Sequence, residues 1–176
     1  KKKYYNFGIG DGSEKILNIC KAAGMSSFLE PNLEYLNNFH GFDQWSQIIK
    51  QVKVKTKKLN DIDENIDFLK IDIQGYESEV IKNGIKKIKD CLVVQIETSP
   101  TPLYKNEETF SSVILQLEKL GFYLHMFNNI NTKSFKPTLI SNNPHVGLHH
   151  LFQLDCVLVK DLNVIESYNL EELKKL

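Results

Sequence analysis

From Ile66 onward the chain alternates continuous apolar runs with segments of helical period. Ile66–Ile73, Cys91–Thr98, Tyr123–Phe127 and Phe152–Lys160 read as buried strands. Glu77–Asn83 and Thr109–Leu120 lie between them as helices, stopped by Gly84 and Gly121. In the second helix Phe110, Val113, Ile114, Leu117 and Leu120 recur at steps of three and four, which makes one buried face. Strand and helix in alternation are the βαβ grammar of a parallel sheet covered on both faces. The first third reads differently. Tyr4–Ile9 and Lys15–Cys20 are predicted strands joined by the turn Gly10-Asp11-Gly12, an N-terminal β-hairpin. Lys21 to Gly41 reads as irregular, and Leu59–Ile62 as a short connector. Gln47–Thr56 carries the alternation Val52-Lys53-Val54-Lys55 of a half-exposed, edge-like strand. Asn128–Leu151 reads as a long polar loop, and Asn169–Leu176 as a short terminal helix.

The composition is that of one globular domain, assigned to residues 1–176: 41% hydrophobic, 25% charged and formally neutral. Neutrality gives no footprint for nucleic acid. All 22 basic residues are lysines, so no guanidinium clamp on phosphate or carboxylate exists within the chain. Cys20, Cys91 and Cys156 lie in apolar runs without metal spacing, which predicts buried, reduced thiols and a cytoplasmic setting. No apolar run approaches the ~18 residues of a membrane span, and no signal peptide is visible.

Chemistry gathers where apolar strands stop at acids. Phe68-Leu69-Lys70-Ile71-Asp72-Ile73-Gln74-Gly75-Tyr76-Glu77 runs from strand through a glycine turn to helix. Cys91–Ser99 stops at Glu97 in the same manner. Open α/β folds bind ligands beyond the carboxyl ends of parallel strands. Two carboxylates there can orient a hydroxyl, act as a general base or hold a divalent cation. Each also has a plain alternative, an acid that ends a strand and serves only the turn. Glu77 reads as a first-turn helix acid and Gly75 as the residue that permits the turn.

The order of these segments resembles the FkbM family of S-adenosylmethionine-dependent methyltransferases. Lys70 to Glu77 matches its K-I-D-x-(E/Q)-G-x-E pattern, with Gln74 as the glutamine variant. Gln95 to Ser99, then Pro102-Leu103-Tyr104, matches Q-x-E-x-S followed by P-L-Y. Gln153-Leu154-Asp155 matches a late Q-x-D strand. The resemblance spans about Tyr4 to Lys160.

The resemblance implies a Rossmann-like class I methyltransferase sheet, mostly parallel, of strand order 3-2-1-4-5-7-6, with S-adenosylmethionine as cofactor. Tyr4–Ile9 is then strand three and Ile66–Ile73 strand four. The first two strands and their glycine-rich cofactor loop are missing. Gly8-Ile9-Gly10-Asp11-Gly12 is glycine-rich but opens no helix. The chain begins at Lys1, not Met, and the expectation is an incomplete sheet: a C-terminal piece of a larger enzyme, poorly stable alone.

Site assignments follow by resemblance. Asp72 and Glu97 are the catalytic candidates. Gly10, Asp11, Asp72 and Gln74 are the cofactor candidates, with Gly10 and Asp11 near adenine or simply in a turn. Ser26 and Ser27 either face the pocket or form a polar loop. His145, His149 and His150 offer a base or are ordinary loop histidines; 149 and 150 point to opposite sides if extended. Phe42 and Trp45 pack a substrate ring or the core. No metal set is predicted. The implied reaction is O-methylation of a hydroxyl on a sugar, glycan or secondary metabolite, the acceptor being a small molecule or glycan. Two rivals stand beside it. One is a catalytically inactive remnant or partner module that binds no cofactor. The other is an unrelated doubly wound ligand-binding domain.

Overall fold

The computed structural model describes residues 2–144, 146–163, 168 and 170–174. Its strands form two sheets, β1-β3-β2 and β4-β5-β7-β6. In the first, β3 (Ile48–Lys57) runs antiparallel to β2 (Glu14–Cys20). The two-residue strand β1 (Gly8–Ile9) pairs parallel with β3 at Thr56 and Lys57.

The expected N-terminal hairpin is therefore corrected. β1 does not pair with β2; the turn after Gly10 carries the chain over the end of β3, and the two strands flank it. Asp11 fixes that turn by accepting hydrogen bonds from the Ser13 amide and hydroxyl. The Val52–Lys55 alternation shows as half-buried valines and exposed lysines. β3 is nonetheless the middle strand, with β1 covering only its last two residues. The stretch expected to be irregular, Lys21 to Gly41, holds the one-turn helix α1 (Leu33–Leu36), and a second, α2 (Phe42–Trp45), follows it directly.

In the second sheet, β4 (Phe68–Ile71) pairs parallel with β5 (Val93–Thr98). β7 (His150–Lys160) runs antiparallel to both β5 and β6 (Phe122–Lys133). The sheet is mixed, which corrects the mostly parallel expectation. The physical reason is β6. It continues to Lys133, well into the expected loop, and reverses into β7 as a long antiparallel pair. The expectation of a terminal helix survives as α6 (Leu170–Leu173).

One face of this sheet is dry. Ile71, Val94, Ile96, Leu154, Cys156 and Leu158 pack on helices α3 (Glu77–Lys82), α4 (Ile85–Asp90) and α5 (Phe110–Glu118). The α5 face meets it through Val113, Ile114 and Leu117, and Gly121 (φ +86°) ends the segment as its glycine predicts. A second, aromatic core joins Leu36, Phe39, Phe42, Tyr104 and Phe152. Trp45 lies edge-on to Phe42, so both rings serve packing. β4 forms one edge of its sheet, and Phe68 on that edge is 55% exposed.

Candidate functional site

The opposite face of the second sheet gathers polar side chains at one end, and strand register decides what it carries. Side chains alternate across a sheet, so paired residues and those two apart share a face. Lys70 pairs with Gln95, and Glu97 pairs with Asp155. Asp72, two residues past Lys70, falls level with Glu97. Asn129 on β6 pairs with Asp155 and continues the line. Asp72, Glu97 and Asp155 thus form a row across three neighbouring chain segments, at the carboxyl ends of the parallel strands β4 and β5.

Amides tie this row together. The Gln74 side-chain Nε2 donates to Asp72 Oδ1 at 3.0 Å and to Glu97 Oε2 at 2.9 Å. The Gln153 Nε2 donates to the same Glu97 oxygen at 3.2 Å. Lys70 Nζ holds the other oxygen of Asp72 at 2.9 Å. Burial pushes the Glu97 carboxyl up to about 7, and the neighbouring Asp72 and Asp155 carboxylates add to that. The Gln74 amide pulls it the other way. Glu97 therefore changes charge near neutral pH, the range in which a general base operates best.

The loop that presents Gln74 is strained. Gln74 itself has φ +58° and Gly75 φ +88°, two consecutive left-handed residues. The region suits glycine and is uncommon for glutamine. Gly75 is needed for a second reason: a Cβ there would lie 2.7 Å from Tyr104 Cδ2. Glu77, 4% exposed, accepts the Ile73 amide at 3.0 Å and so closes the loop from its helical side. It stands in the first turn of α3, as its sequence position predicts, and from there clamps the loop. Glu107, 8% exposed, accepts the amides of Leu103 and Tyr104 at 2.6 and 2.9 Å. Burial pushes both carboxyls up to about 7.

Gly10 and Asp11 lie on the other sheet. Asp11 forms an ion pair with Lys15 at 2.7 Å, and Lys15 holds its carboxyl well below the usual range. The Lys15 ammonium also acts electrostatically on Tyr76, in the loop after β4. Ser27 is buried under Gln74, while Ser26 Oγ accepts the Cys20 amide. His150 faces away from the row. It bonds the Tyr35 hydroxyl at 2.7 Å and stacks on Phe39, and burial lowers its pKa. His149 is exposed, and His145 lies outside the described residues. No group of three or more His, Cys, Asp or Glu among the described residues could hold a metal ion. The three cysteines are free and buried; burial pushes Cys91 up to about 11 and Cys156 up to about 12, so neither is a ready nucleophile.

The family profile of the methyltransferase FkbM domain matches residues 1–124. The chain belongs to the FkbM methyltransferase family. That matched stretch contains Asp72, Gln74, Glu97 and the turn at Gly10, and it ends within β6. Gln153 and Asp155 lie beyond it. No curated protein and no solved structure matches the chain. No helix among the described residues is long and apolar enough to cross a membrane.

Reading the sequence named Asp72, Gln74 and Glu97, and the fold brings those three together. It missed Gln153 as a second amide on Glu97, although the Q-x-D spacing puts Gln153 and Asp155 on one face. It also missed Glu107. Its only signal is an acid three residues after Tyr104, a spacing that lets a carboxylate fold back onto turn amides.

Proposed function

We propose that this FkbM-family chain transfers a methyl group from S-adenosylmethionine to a hydroxyl oxygen of a sugar, glycan or secondary metabolite. The observation that carries the reading is the Gln74 amide bridging Asp72 and Glu97 beyond the ends of β4 and β5. Three carboxylates balanced by one lysine fit a cofactor that carries a positive sulfonium and an ammonium group. Bound there, S-adenosylmethionine supplies an electrophilic methyl group whose sulfur keeps the bonding electron pair. Asp72 and Gln74 are the residues assigned to the cofactor at the row. Gly10 and Asp11 are assigned to its adenosine end, where Asp11 retains acceptor capacity beyond its bonds to Ser13 and Lys15.

Glu97 is assigned the acceptor's proton. Both amides converge on Oε2, which leaves Oε1 for a bound hydroxyl. The proton passes to Glu97 while an oxygen lone pair forms the new bond to carbon. Asp72 then orients the same hydroxyl, and its negative charge disfavours ionisation of Glu97, which keeps that carboxyl basic. Buried free thiols support a reducing compartment, the cytoplasm.

A second reading, an inactive module of the same fold, draws on one observation. The Gly10-Asp11-Gly12 turn leads into strand β2, not a helix, and Asp11 is already engaged by Lys15. Transfer of radiolabelled methyl from S-adenosylmethionine to a panel of sugar and glycan acceptors separates the two. Activity reduced about 10²-fold or more by Glu97→Gln supports the enzyme. Absence of transfer and of cofactor binding supports the module.

A further inference from the structure

We infer that Ser27 is a positioning residue for the Asp72–Glu97 pair, acting through the backbone of Gln74. The inference rests on the proposed role of Glu97. Ser27 is 1% exposed and sits 47 residues away in sequence from the loop it controls. Its hydroxyl donates to the Gln74 carbonyl at 2.6 Å and accepts the Leu29 amide at 3.0 Å. A serine hydroxyl carries a single proton, so that donation is committed to Gln74 and to nothing else.

Ser27 is itself anchored. Its backbone exchanges both hydrogen bonds with Asn18 on β2, at 2.8 and 3.1 Å. Asn18 in turn is held by Leu29 and Gln51 through its side chain. The first sheet thereby supplies a fixed point. From it, one hydrogen bond reaches the carbonyl of the only strained, non-glycine residue in the β4–α3 loop.

The effect on the site follows from the geometry. Rotating Gln74 into the left-handed region carries its side chain across to both carboxylates. Released from Ser27, the residue relaxes toward the ordinary right-handed region, and its Nε2 leaves Asp72 and Glu97. Glu97 then loses a hydrogen bond that favours its charged form. The remaining groups facing it are unchanged: Asp72 and Lys70 at β4, Asp155 and Gln153 on β7, Glu77 on α3, and Tyr104 below the loop. The polar side chain of Ser27 is thus a means by which one sheet sets the chemistry of the other.

The test is the titration of Glu97 followed by ¹³C NMR of carboxyl-labelled glutamate, assigned with Glu97→Gln. Ser27→Ala is expected to raise the Glu97 midpoint by a few tenths of a pH unit and to shift the Gln74 side-chain amide resonances. In a Gln74→Ala background the same substitution is expected to do nothing further, because the route is already cut. Ser27→Cys keeps the shape with a somewhat larger atom and weakens the donor; it is expected to give a smaller shift and covers the case in which alanine does not fold. Unchanged titration in Ser27→Ala or Ser27→Cys, or an equal shift with Gln74 already removed, would overturn the inference. None of these readouts needs turnover. A wild-type chain that transfers no methyl group would count against the proposed reaction and leave the Ser27 result to stand or fall on its own.

Discussion

Glu97 on β5 stands directly opposite Asp155 on β7, two carboxylates in register on one face of an antiparallel pair. Like charges so placed destabilise a sheet. Their persistence beside Asp72 concentrates negative charge at one end of the sheet. Asp155→Asn is therefore expected to stabilise the fold at pH 8 by about 0.5 kcal/mol and to lower the Glu97 midpoint. The gain should fade at pH 5, where Glu97 is protonated and the repulsion is absent. Urea unfolding at the two pH values checks both parts.

Stability should fall as pH rises across neutrality. Glu77, Glu97 and Glu107 each have a folded pKa of about 7, raised from 4.5, with burial the largest cause. Between those values the folded chain holds protons that the unfolded chain has released, so the slope of unfolding free energy with pH is negative. Their contribution is fully present below about pH 4.5 and lost by the time pH passes about 7. The urea midpoint should be higher at pH 5.5 than at pH 8. Glu77→Gln should flatten that dependence.

Thr98 is 3% exposed, and its Oγ1 has no hydrogen-bond partner among the described residues. It adjoins Glu97 but faces the dry side of the sheet. Thr98→Val keeps the shape and removes the orphaned hydroxyl, and should stabilise the chain by about 1 kcal/mol. Chemical denaturation measures it directly.

Gly75 and Gly121, two of the four left-handed glycines among the described residues, should respond differently to alanine. At Gly121 a Cβ meets nothing closer than Lys160 Cε at 4.0 Å, so only the backbone penalty of about 1 kcal/mol applies. At Gly75 the new Cβ meets the Tyr104 ring at 2.7 Å, and overpacking adds about 1–3 kcal/mol. Gly75→Ala should therefore lower the unfolding midpoint well beyond Gly121→Ala.

Much of the site was legible in the chain. A strand that stops at Asp72, a second that stops at Glu97 and a glycine turn between strand and helix are local signals, and the fold uses them. What hid was whatever depends on partners. A continuous apolar run reads the same whether its neighbour is parallel or antiparallel, and β5 has one of each. Gly10-Asp11-Gly12 reads as a hairpin turn, but β3 arrives between the two strands it joins. Gln74 gave no sign of its left-handed backbone, since that conformation is imposed by Ser27 and by the glycine after it. Glu107 carries out its role through backbone amides, so its spacing after Tyr104 is the one sign it leaves in the sequence.

The Asp72–Gln74–Glu97 cluster is proposed as the place where this FkbM-family chain engages S-adenosylmethionine. Isothermal titration calorimetry with S-adenosylmethionine tests it most directly, comparing the wild-type chain with Asp72→Asn and Gln74→Ala. Loss of one hydrogen bond to a charged group corresponds to about a tenfold weakening or more. Measurable binding by the wild type and that loss in both variants are the expected result. Absent binding, or affinity unchanged by either substitution, would contradict it.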